Sequence, residues 1–427
     1  MTLFKMRLIA LLKGDFLMYK LDEIRKQFPM LNNKTMQGDP LVFLDNASTT
    51  FKPYSVIKAI EEYYSDYTAN HHRGDYDLCY KVDMKVQEVR RKIANFINSN
   101  VNEVVFTSGD TEALNLIAYG YALSNLKKDD VILLSLEEHA SNTLPWYRIC
   151  ELTGAKVEFV ELEDKKITVN KVKEAFNKYQ NIKIVSFAHV GNVLGYEIDA
   201  KGIAKVAHEH NSIFVLDGAQ SVPHIKTDFK DLDVDFITFS AHKMCGPTGV
   251  GALIGKYDLL QKMSLFKTGG GMNVKFNKNM EVIPLDAPYK FEAGTLNIAG
   301  IVGFGAAIDF INSIGIDNIH KYELELADYA LSKLEKCKDI VIYNKDSNSG
   351  IIAFNRVGVF AQDEATLLNS KGIAVRSGQH CAKMIDEVIA TVATVRASFY
   401  LYTSKKDIDV FVDNLINGGD ILDAYFK

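Results

Sequence analysis

The feature that most constrains the fold is a regular alternation of buried strands and amphipathic helices between residues 104 and 255. The predicted strands cover residues 104–107, 131–135, 157–162, 183–188, 213–216, 236–239 and 251–254. Strands that alternate with helices in this way form a mostly parallel sheet covered by helices. Open sheets of this kind bind their ligands at the carboxyl ends of the strands. The sequence therefore predicts an α/β fold with a site at that edge.

The pattern changes after residue 300. Two long helical patterns, at 301–314 and 318–337, precede short strands at 340–343, 350–354 and 373–375. This order predicts a smaller α+β unit. We expect a disordered upstream extension over residues 1–17, an N-terminal segment over 18–44, a large domain over 45–300 and a small domain over 301–427.

Composition restricts the classes of partner. The 427 residues carry a formal net charge of -5, and no basic stripe or basic amphipathic helix stands out. We therefore expect neither a nucleic acid nor a membrane as partner. The five cysteines show no CxxC spacing, which argues against a zinc ribbon or a disulfide framework and favours the cytoplasm.

Two polar residues follow neighbouring predicted strands. Asp217 comes directly after segment 213–216, and Lys243 follows segment 236–239 after a Ser-Ala-His turn. Pyridoxal phosphate (PLP) enzymes need a lysine that forms a Schiff base with the cofactor and an acid that keeps its ring nitrogen protonated. For either residue alone, a surface lysine or a helix-capping aspartate is the simpler interpretation. Together, at the ends of two buried strands, they predict a PLP site.

A glycine-containing turn follows the first strand of the predicted sheet. Gly109, Asp110 and Thr111 lead into a helix whose free amides and positive dipole end suit the cofactor phosphate. An ordinary capped helix, with Ser108 or Asp110 as the cap, gives a similar pattern. The phosphate site gains support from Ser240 and His242, which can donate hydrogen bonds from the turn before Lys243.

Cys381 is the candidate nucleophile. It lies in a glycine-containing loop, with Arg376 before it and Arg396 after it, and cationic neighbours favour a thiolate. Arg396 suits a substrate carboxylate because a planar guanidinium binds it with two hydrogen bonds. The other cysteines are interpreted as packing residues.

The chain resembles the class V aminotransferase-like PLP enzymes, and most closely the SUF-type (group II) cysteine desulfurases. The resemblance covers about residues 21–410 and rests on motifs in the family order: LDNASTT (44–50), HRG (72–74), EH (138–139), NVLG (192–195), DGAQ (217–220), SAHK (240–243), GGG (269–271), FEAGT (291–295) and VRSGQHCA (375–382). It implies fold type I, the aspartate aminotransferase-like fold of PLP-dependent transferases, with a large sheet domain and a smaller α+β C-terminal domain.

The resemblance also implies residue roles. Lys243 is the Schiff-base lysine, Asp217 contacts the pyridine nitrogen, Gln220 contacts the ring hydroxyl and His139 covers the ring. The cofactor phosphate is contacted by Thr111, Ser240 and His242, and Thr295 reaches the phosphate of a neighbouring subunit. Asp110 and Asn192 also contact the cofactor. The implied substrate contacts are Arg73, Asn192, Arg376 and Arg396.

Several positions depart from the family pattern. Asp110 stands where Thr or Ala is usual, and two orientations stay open: its carboxylate faces the phosphate, or it turns outward as a helix cap. Tyr76 and Gln379 replace histidines, Gly191 replaces a serine and Leu296 replaces a proline. No substitution removes a core catalytic group.

The implied activity is the conversion of L-cysteine to L-alanine by a cytoplasmic homodimer, with the sulfur held on Cys381 as a persulfide. The short stretch between Cys381 and Arg396 resembles the group II pattern, which implies transfer of sulfur to a SufE-like or SufU-like acceptor for iron-sulfur cluster assembly. Two alternatives stay open, a selenocysteine lyase and a PLP-fold scaffold protein in an iron-sulfur assembly complex.

Overall fold

A computed structural model describes residues 19–36, 38–71, 74–417 and 419. The upstream extension expected over residues 1–17 lies outside these residues, as does Arg73.

The described strands differ in length, from two residues to seven. In chain order they are β1 (Val42–Phe43), β2 (Val104–Thr107), β3 (Val131–Leu134), β4 (Lys156–Phe159), β5 (Ile182–Ala188), β6 (Ile213–Asp217), β7 (Phe236–Ser240), β8 (Gly251–Gly255), β9 (Asn273–Phe276), β10 (Val282–Pro284), β11 (Ile340–Ile342), β12 (Ile351–Arg356), β13 (Ile373–Ala374), β14 (Arg376–Gly378) and β15 (Thr394–Ser398).

The α-helices of the described residues alternate with these strands through the first two thirds of the chain. They are α1 (Leu21–Arg25), α2 (Tyr54–Asp66), α3 (Asp77–Ile97), α4 (Asp110–Ile117), α5 (Leu123–Asn125), α6 (Leu144–Thr153), α7 (Val169–Lys178), α8 (Ala200–Glu209), α9 (Phe229–Leu232), α10 (Tyr257–Lys262), α11 (Ile298–Ile314), α12 (Ile316–Leu334), α13 (Ala361–Asn369), α14 (Asp386–Ile389) and α15 (Lys405–Asn417).

Seven strands form one large sheet in the order β2-β8-β7-β6-β5-β3-β4. Strands β7, β6, β5, β3 and β4 run parallel, whereas β8 is antiparallel to both β7 and β2. Every residue of β2, β3, β7 and β8 is buried, which explains their continuous apolar sequences. The predicted α/β fold is confirmed, and each of the seven predicted strands is present.

A four-stranded antiparallel sheet, β11-β12-β15-β14, forms the core of the C-terminal part. The N-terminal segment contributes to this part, because β1 pairs in parallel with β13 and Leu44 packs in the same apolar cluster as Phe354. Helix α11 packs instead into the cluster that contains the large sheet, with Phe304 against Phe239. The domain limits given above stay a prediction.

Strands β1, β9, β10, β14 and β15 were not predicted from the sequence. Strands β14 and β15 carry Arg376 and Arg396, and β9 and β10 form an exposed hairpin, so none has the continuous apolar run that marked the large sheet. Segment 373–375 does form a strand, but it pairs with β1 rather than with the C-terminal sheet.

Among the described helices, no single one is long and apolar enough to cross a membrane. The pair α11 and α12 meets the length and composition test only when the two are taken together, across a bend of 73°.

Candidate active site

A cavity of about 200 Å³ lies at the carboxyl ends of the parallel strands. The residues predicted for the site that line it are Asp110, Thr111, His139, Asn192, Asp217, Gln220, Ser240, His242, Lys243, Arg376, Cys381 and Arg396. The chain therefore brings together residues that are up to 286 positions apart in sequence, from Asp110 to Arg396. The lining residues from Asp110 to Lys243 follow strand ends at one edge of the large sheet. Arg376, Cys381 and Arg396 reach the cavity from the C-terminal part.

Lys243 and Asp217 reach the cavity from neighbouring strands. Asp217 is the last residue of β6 and pairs in register with Thr238 of β7, while Lys243 ends a short 3₁₀ helix (Ala241–Lys243) after β7. Burial lowers the pKa of Lys243, although Asp217 and Asp110 act in the opposite direction. Asp217 is 4% exposed, and one of its carboxylate oxygens accepts a 2.9 Å hydrogen bond from the Ala219 amide.

Gln220 is held with its amide oxygen available. Its Nε2 donates a 2.6 Å hydrogen bond to the carbonyl of Ala47, whereas its buried Oε1 has no partner among the described residues. An unpaired buried acceptor facing a cavity can accept a hydrogen bond from a bound hydroxyl group.

His139 lines the cavity as a neutral imidazole. Its Nδ1 accepts a 3.1 Å hydrogen bond from the Ser141 amide, so the lone pair of that nitrogen is used. Burial, followed by the charges of Lys243, Arg396 and Arg376, lowers the pKa of His139 to about 4. A flat, uncharged ring at this position can cover an aromatic ligand.

The turn between β2 and α4 provides further polar groups. Thr111 Oγ1 lies 2.7 Å from Ser141 Oγ, and the amide of Asp110 donates a 2.7 Å hydrogen bond to Ser240 Oγ. The helix-cap interpretation is wrong for both Ser108 and Asp110, because Gly109 is the N-cap residue and no side chain caps the helix. The Asp110 side chain is buried and faces the cavity rather than solvent.

Arg396 of β15 is almost fully buried, at 2% exposure. Its Nη1 donates to the carbonyl of Asn192 at 2.8 Å and its Nη2 contacts Asp45 at 3.2 Å, whereas its Nε has no partner among the described residues. The guanidinium therefore keeps donor capacity toward the cavity that it lines. Arg376 extends the positive region, since its Nη1 donates to Ser48 Oγ at 2.7 Å.

Cys381 is exposed and lies in a constrained loop at the cavity mouth. Its φ is +60° and that of His380 is +53°, a left-handed conformation that costs energy for residues other than glycine. Side-chain hydrogen bonds help to hold this loop: Asn192 Nδ2 donates to the His380 carbonyl, and His380 Nε2 pairs with Thr394 Oγ1.

Thr295 does not line this cavity. It borders a separate depression together with Ser108, Glu112 and Lys267. Within one chain the structure therefore does not bring Thr295 to the predicted phosphate site, and its role across a subunit interface stays a prediction.

Sequence reasoning missed several residues of the site, among them Ser48 and Ser141, which line the cavity. Asp45, within the LDNASTT motif, contacts both Arg396 and Arg376. Buried His380, next to Cys381 in sequence, is held by Thr394. Asp45 and His380 lie inside motifs already noted, but Asp45 is 351 positions from Arg396, so spacing alone could not reveal that contact.

The residues present fit PLP. A lysine with a lowered pKa faces a buried acid, an unpaired amide oxygen is available for a ring hydroxyl, and hydroxyl and amide groups surround a helix start suited to a phosphate.

Comparisons with known proteins agree with this geometry. The Aminotransferase class-V family profile matches residues 42–411. The chain belongs to the class-V aminotransferase family. A probable cysteine desulfurase from Halalkalibacterium halodurans is 43% identical over 395 residues, which cover 92% of this chain and 96% of the relative.

Solved structures give the same result. The cysteine desulfurase CsdA from Escherichia coli matches with a TM-score of 0.87 and 33% identity, covering 94% of this chain and 98% of that one. An apo cysteine desulfurase from Thermococcus onnurineus matches with a TM-score of 0.88 and 32% identity, covering 95% of this chain and 100% of that one. The predicted fold type and the prediction of a PLP-dependent family are confirmed.

Proposed function

We propose that this protein is a PLP-dependent cysteine desulfurase that converts L-cysteine to L-alanine and holds the sulfur on Cys381 as a persulfide. The observation that carries the proposal is that the exposed thiol of Cys381 borders the same cavity as Lys243 and Asp217. The relatives named above support this activity.

Arg396 is proposed to bind the substrate carboxylate. Burial lowers the pKa of Arg396, whereas Asp45 raises it, so the guanidinium stays charged beside its carboxylate partner. Two parallel N–H groups fix the plane of a bound carboxylate and so orient the amino acid. Asn192 supports this arrangement through its carbonyl, Arg376 adds positive charge, and Arg73 stays a further candidate outside the described residues.

Lys243 is proposed to anchor the cofactor and to move the proton at the substrate Cα. Its lowered pKa makes the neutral, proton-accepting amine more available at neutral pH. Bound PLP supplies an electron sink for the carbon that loses its proton. Asp217 is placed to hold a proton at the ring nitrogen, and Gln220, His139, Thr111, Ser240 and His242 to fix ring and phosphate.

Cys381 then attacks the substrate sulfur. A sulfur-sulfur bond forms, the Cβ–S bond breaks, and its electron pair stays on the three-carbon product, which takes up protons to become alanine. The sum is one L-cysteine and one protein thiol giving one L-alanine and one protein persulfide, so no external oxidant is needed. Arg376 and Arg396 line the same cavity as the attacking thiol.

The loop of Cys381 favours the SUF-type, group II subgroup. Its hydrogen bonds to Asn192 and Thr394 restrict how far the thiol can move. A persulfide held there needs an acceptor that binds beside the loop, which supports a SufE-like or SufU-like partner protein. The proposed role is to supply sulfur for iron-sulfur cluster assembly in the cytoplasm.

A homodimer is proposed from two features. The β9–β10 hairpin exposes apolar side chains to an unusual degree, with Phe276 at 72% and Met280 at 91%. Large exposed apolar side chains on one hairpin are typical of a protein interface. Thr295 lies away from its own cavity, as expected of a residue that serves a neighbouring subunit.

The test uses Cys381→Ser with Cys150→Ser as the matched control. Cys150 is only partly buried, and burial raises the pKa of its thiol to about 11, which makes it a poor nucleophile. We expect Cys381→Ser to retain bound PLP but to lose alanine formation and the persulfide, whereas Cys150→Ser behaves as wild type. Near-normal alanine formation by Cys381→Ser would refute the assignment.

Turnover with L-selenocysteine and with a SufE-like or SufU-like acceptor completes the assay. Faster alanine release when the acceptor is added supports the group II assignment. A high basal rate that no acceptor stimulates contradicts it, and turnover of L-selenocysteine alone identifies a lyase.

A further inference from the structure

Asp110 is a buried carboxyl group at the cavity that the reaction outlined above does not use. It is 7% exposed, and its Oδ1 has no hydrogen-bond partner among the described residues. Its backbone is fixed, because the Asp110 amide donates to Ser240 Oγ at 2.7 Å. The helix start that carries this side chain is therefore held beside the cavity.

The groups around Asp110 include a second acid. Asp217 faces it from the end of β6, Thr238 lies beside it on β7, and the Lys243 amine approaches from the following turn. Burial and the charge of Asp217 raise the pKa of Asp110 to about 8, although Thr238 and Lys243 lower it in part. Two carboxyl groups that share one buried site cannot both ionise easily.

Glu112 of the same helix turn provides a contrast. Its Oε2 accepts a 2.8 Å hydrogen bond from the Ser108 amide, and its Oε1 forms a salt bridge with Lys267. Burial raises the pKa of Glu112, but these partners lower it overall. The two acids of one helix start thus occupy opposite electrostatic environments, and only Asp110 lines the cavity.

We propose that Asp110 stays protonated at neutral pH beside the Asp217 carboxyl group, and that ionisation of Asp110 sets the upper pH limit at which the site retains a phosphorylated cofactor. The proposal rests on the proposed function, because it assigns the cavity to PLP. A phosphate ester carries up to two negative charges, and the candidate phosphate ligands Thr111 and Ser240 adjoin Asp110. A charged Asp110 repels that group, whereas a neutral one does not.

The sign of the effect follows from linkage. The anionic ligand favours the protonated form of Asp110, so affinity is full below the pKa of the ligand-free site and decreases as pH rises through it. The dissociation constant of wild type should therefore rise by about tenfold between pH 7 and pH 9 relative to a variant that cannot ionise there.

The experiment measures binding rather than turnover. Full-length protein freed of cofactor is titrated with pyridoxamine 5′-phosphate, which has no aldehyde and cannot bond to Lys243. Trp146, the single tryptophan, reports binding by its fluorescence, because its indole N–H donates to Asn142 near His139. Asp110→Asn is the test variant, Asp110→Thr the second variant, and Glu112→Gln the matched control.

In wild type and Glu112→Gln, we expect the dissociation constant to rise by the additional factor of about ten between pH 7 and pH 9. In Asp110→Asn and Asp110→Thr, we expect no such additional rise. The second variant keeps the test valid where Asp110→Asn does not fold. Gel filtration of the holoenzyme at pH 7 and pH 9 gives an independent measurement. The fraction of PLP retained should fall more between these pH values in wild type and Glu112→Gln than in the two Asp110 variants.

An identical pH dependence in wild type and both Asp110 variants overturns the proposal. Failure of the proposed function is a separate outcome, recognised by the absence of a pyridoxyl adduct on Lys243 or of alanine formed from cysteine.

Discussion

The backbone amide of Ala140 donates a 2.8 Å hydrogen bond to the carbonyl oxygen of Cys381. Ala140 follows His139, so this contact joins the candidate ring-covering residue to the candidate nucleophile. The backbone therefore links these two parts of the cavity wall directly. The backbone of the candidate nucleophile is thus held beside the candidate cofactor site.

Lys243→Ala should abolish the covalent attachment of PLP. Borohydride reduction of the wild type should place a pyridoxyl group on the peptide that contains Lys243, as detected by mass spectrometry. Lys52 is the appropriate comparison, because burial lowers its pKa to about 8 although it does not line the cavity. An adduct on Lys52 in the wild type would exclude the proposed anchor.

Arg396→Lys should weaken substrate binding while leaving the cofactor in place. A lysine cannot form the paired hydrogen bonds of a guanidinium, so we expect kcat/KM for L-cysteine to fall on the order of a hundredfold, ~2.7 kcal/mol. The absorbance spectrum of bound PLP should not change. Arg148→Lys, at an exposed salt bridge with Glu151, is the matched control. Equal losses in both variants would contradict the carboxylate role.

Glu292→Gln should destabilise the protein through a buried ion pair. Arg90 and Glu292 contact each other through two hydrogen bonds of 2.8 and 2.7 Å, and their side chains are 1% and 2% exposed. Loss of one charge leaves the other buried and unpaired, which costs about 3–5 kcal/mol. Urea unfolding should show this loss, and Arg90→Met combined with Glu292→Leu should recover most of it. A loss below 1 kcal/mol would argue against the pair as an anchor of the FEAGT segment.

His189→Gln should reduce the loss of unfolding free energy that occurs at acidic pH. Burial lowers the pKa of His189 from 6.5 to about 4, so the folded state binds this proton less readily than the unfolded state does. The free energy of unfolding should therefore fall as pH decreases from 6.5 to about 4, by on the order of 3 kcal/mol from this residue. Urea unfolding at pH 7 and pH 4.5 measures the difference. An unchanged pH dependence in the variant would show that His189 is not the titrating group.

The large sheet could be predicted because its strands are buried on both faces and so carry continuous apolar sequences. The two-residue strand β1 and the strands β14 and β15 could not, since their pairing depends on contacts such as Val42 with Ile373. The same reason applies within the site. Lys243, Asp217 and Cys381 carry recognisable chemistry in their own motifs, whereas the role of Asp45 arises only from its contact with Arg396, 351 positions away.

The antiparallel strand β8 has a consequence for the order in which the protein can assemble. Strand β2, which leads into the Asp110–Thr111 turn, has β8 as its sole partner in the large sheet of the described residues. During synthesis on the ribosome, about 150 further residues are added after β2 before β8 is available to pair with it. Until Gly255 has left the exit tunnel, the candidate phosphate turn and Lys243 cannot occupy one site. Cofactor capture is thus a late event in biogenesis, and chains interrupted before this strand have no means of binding it.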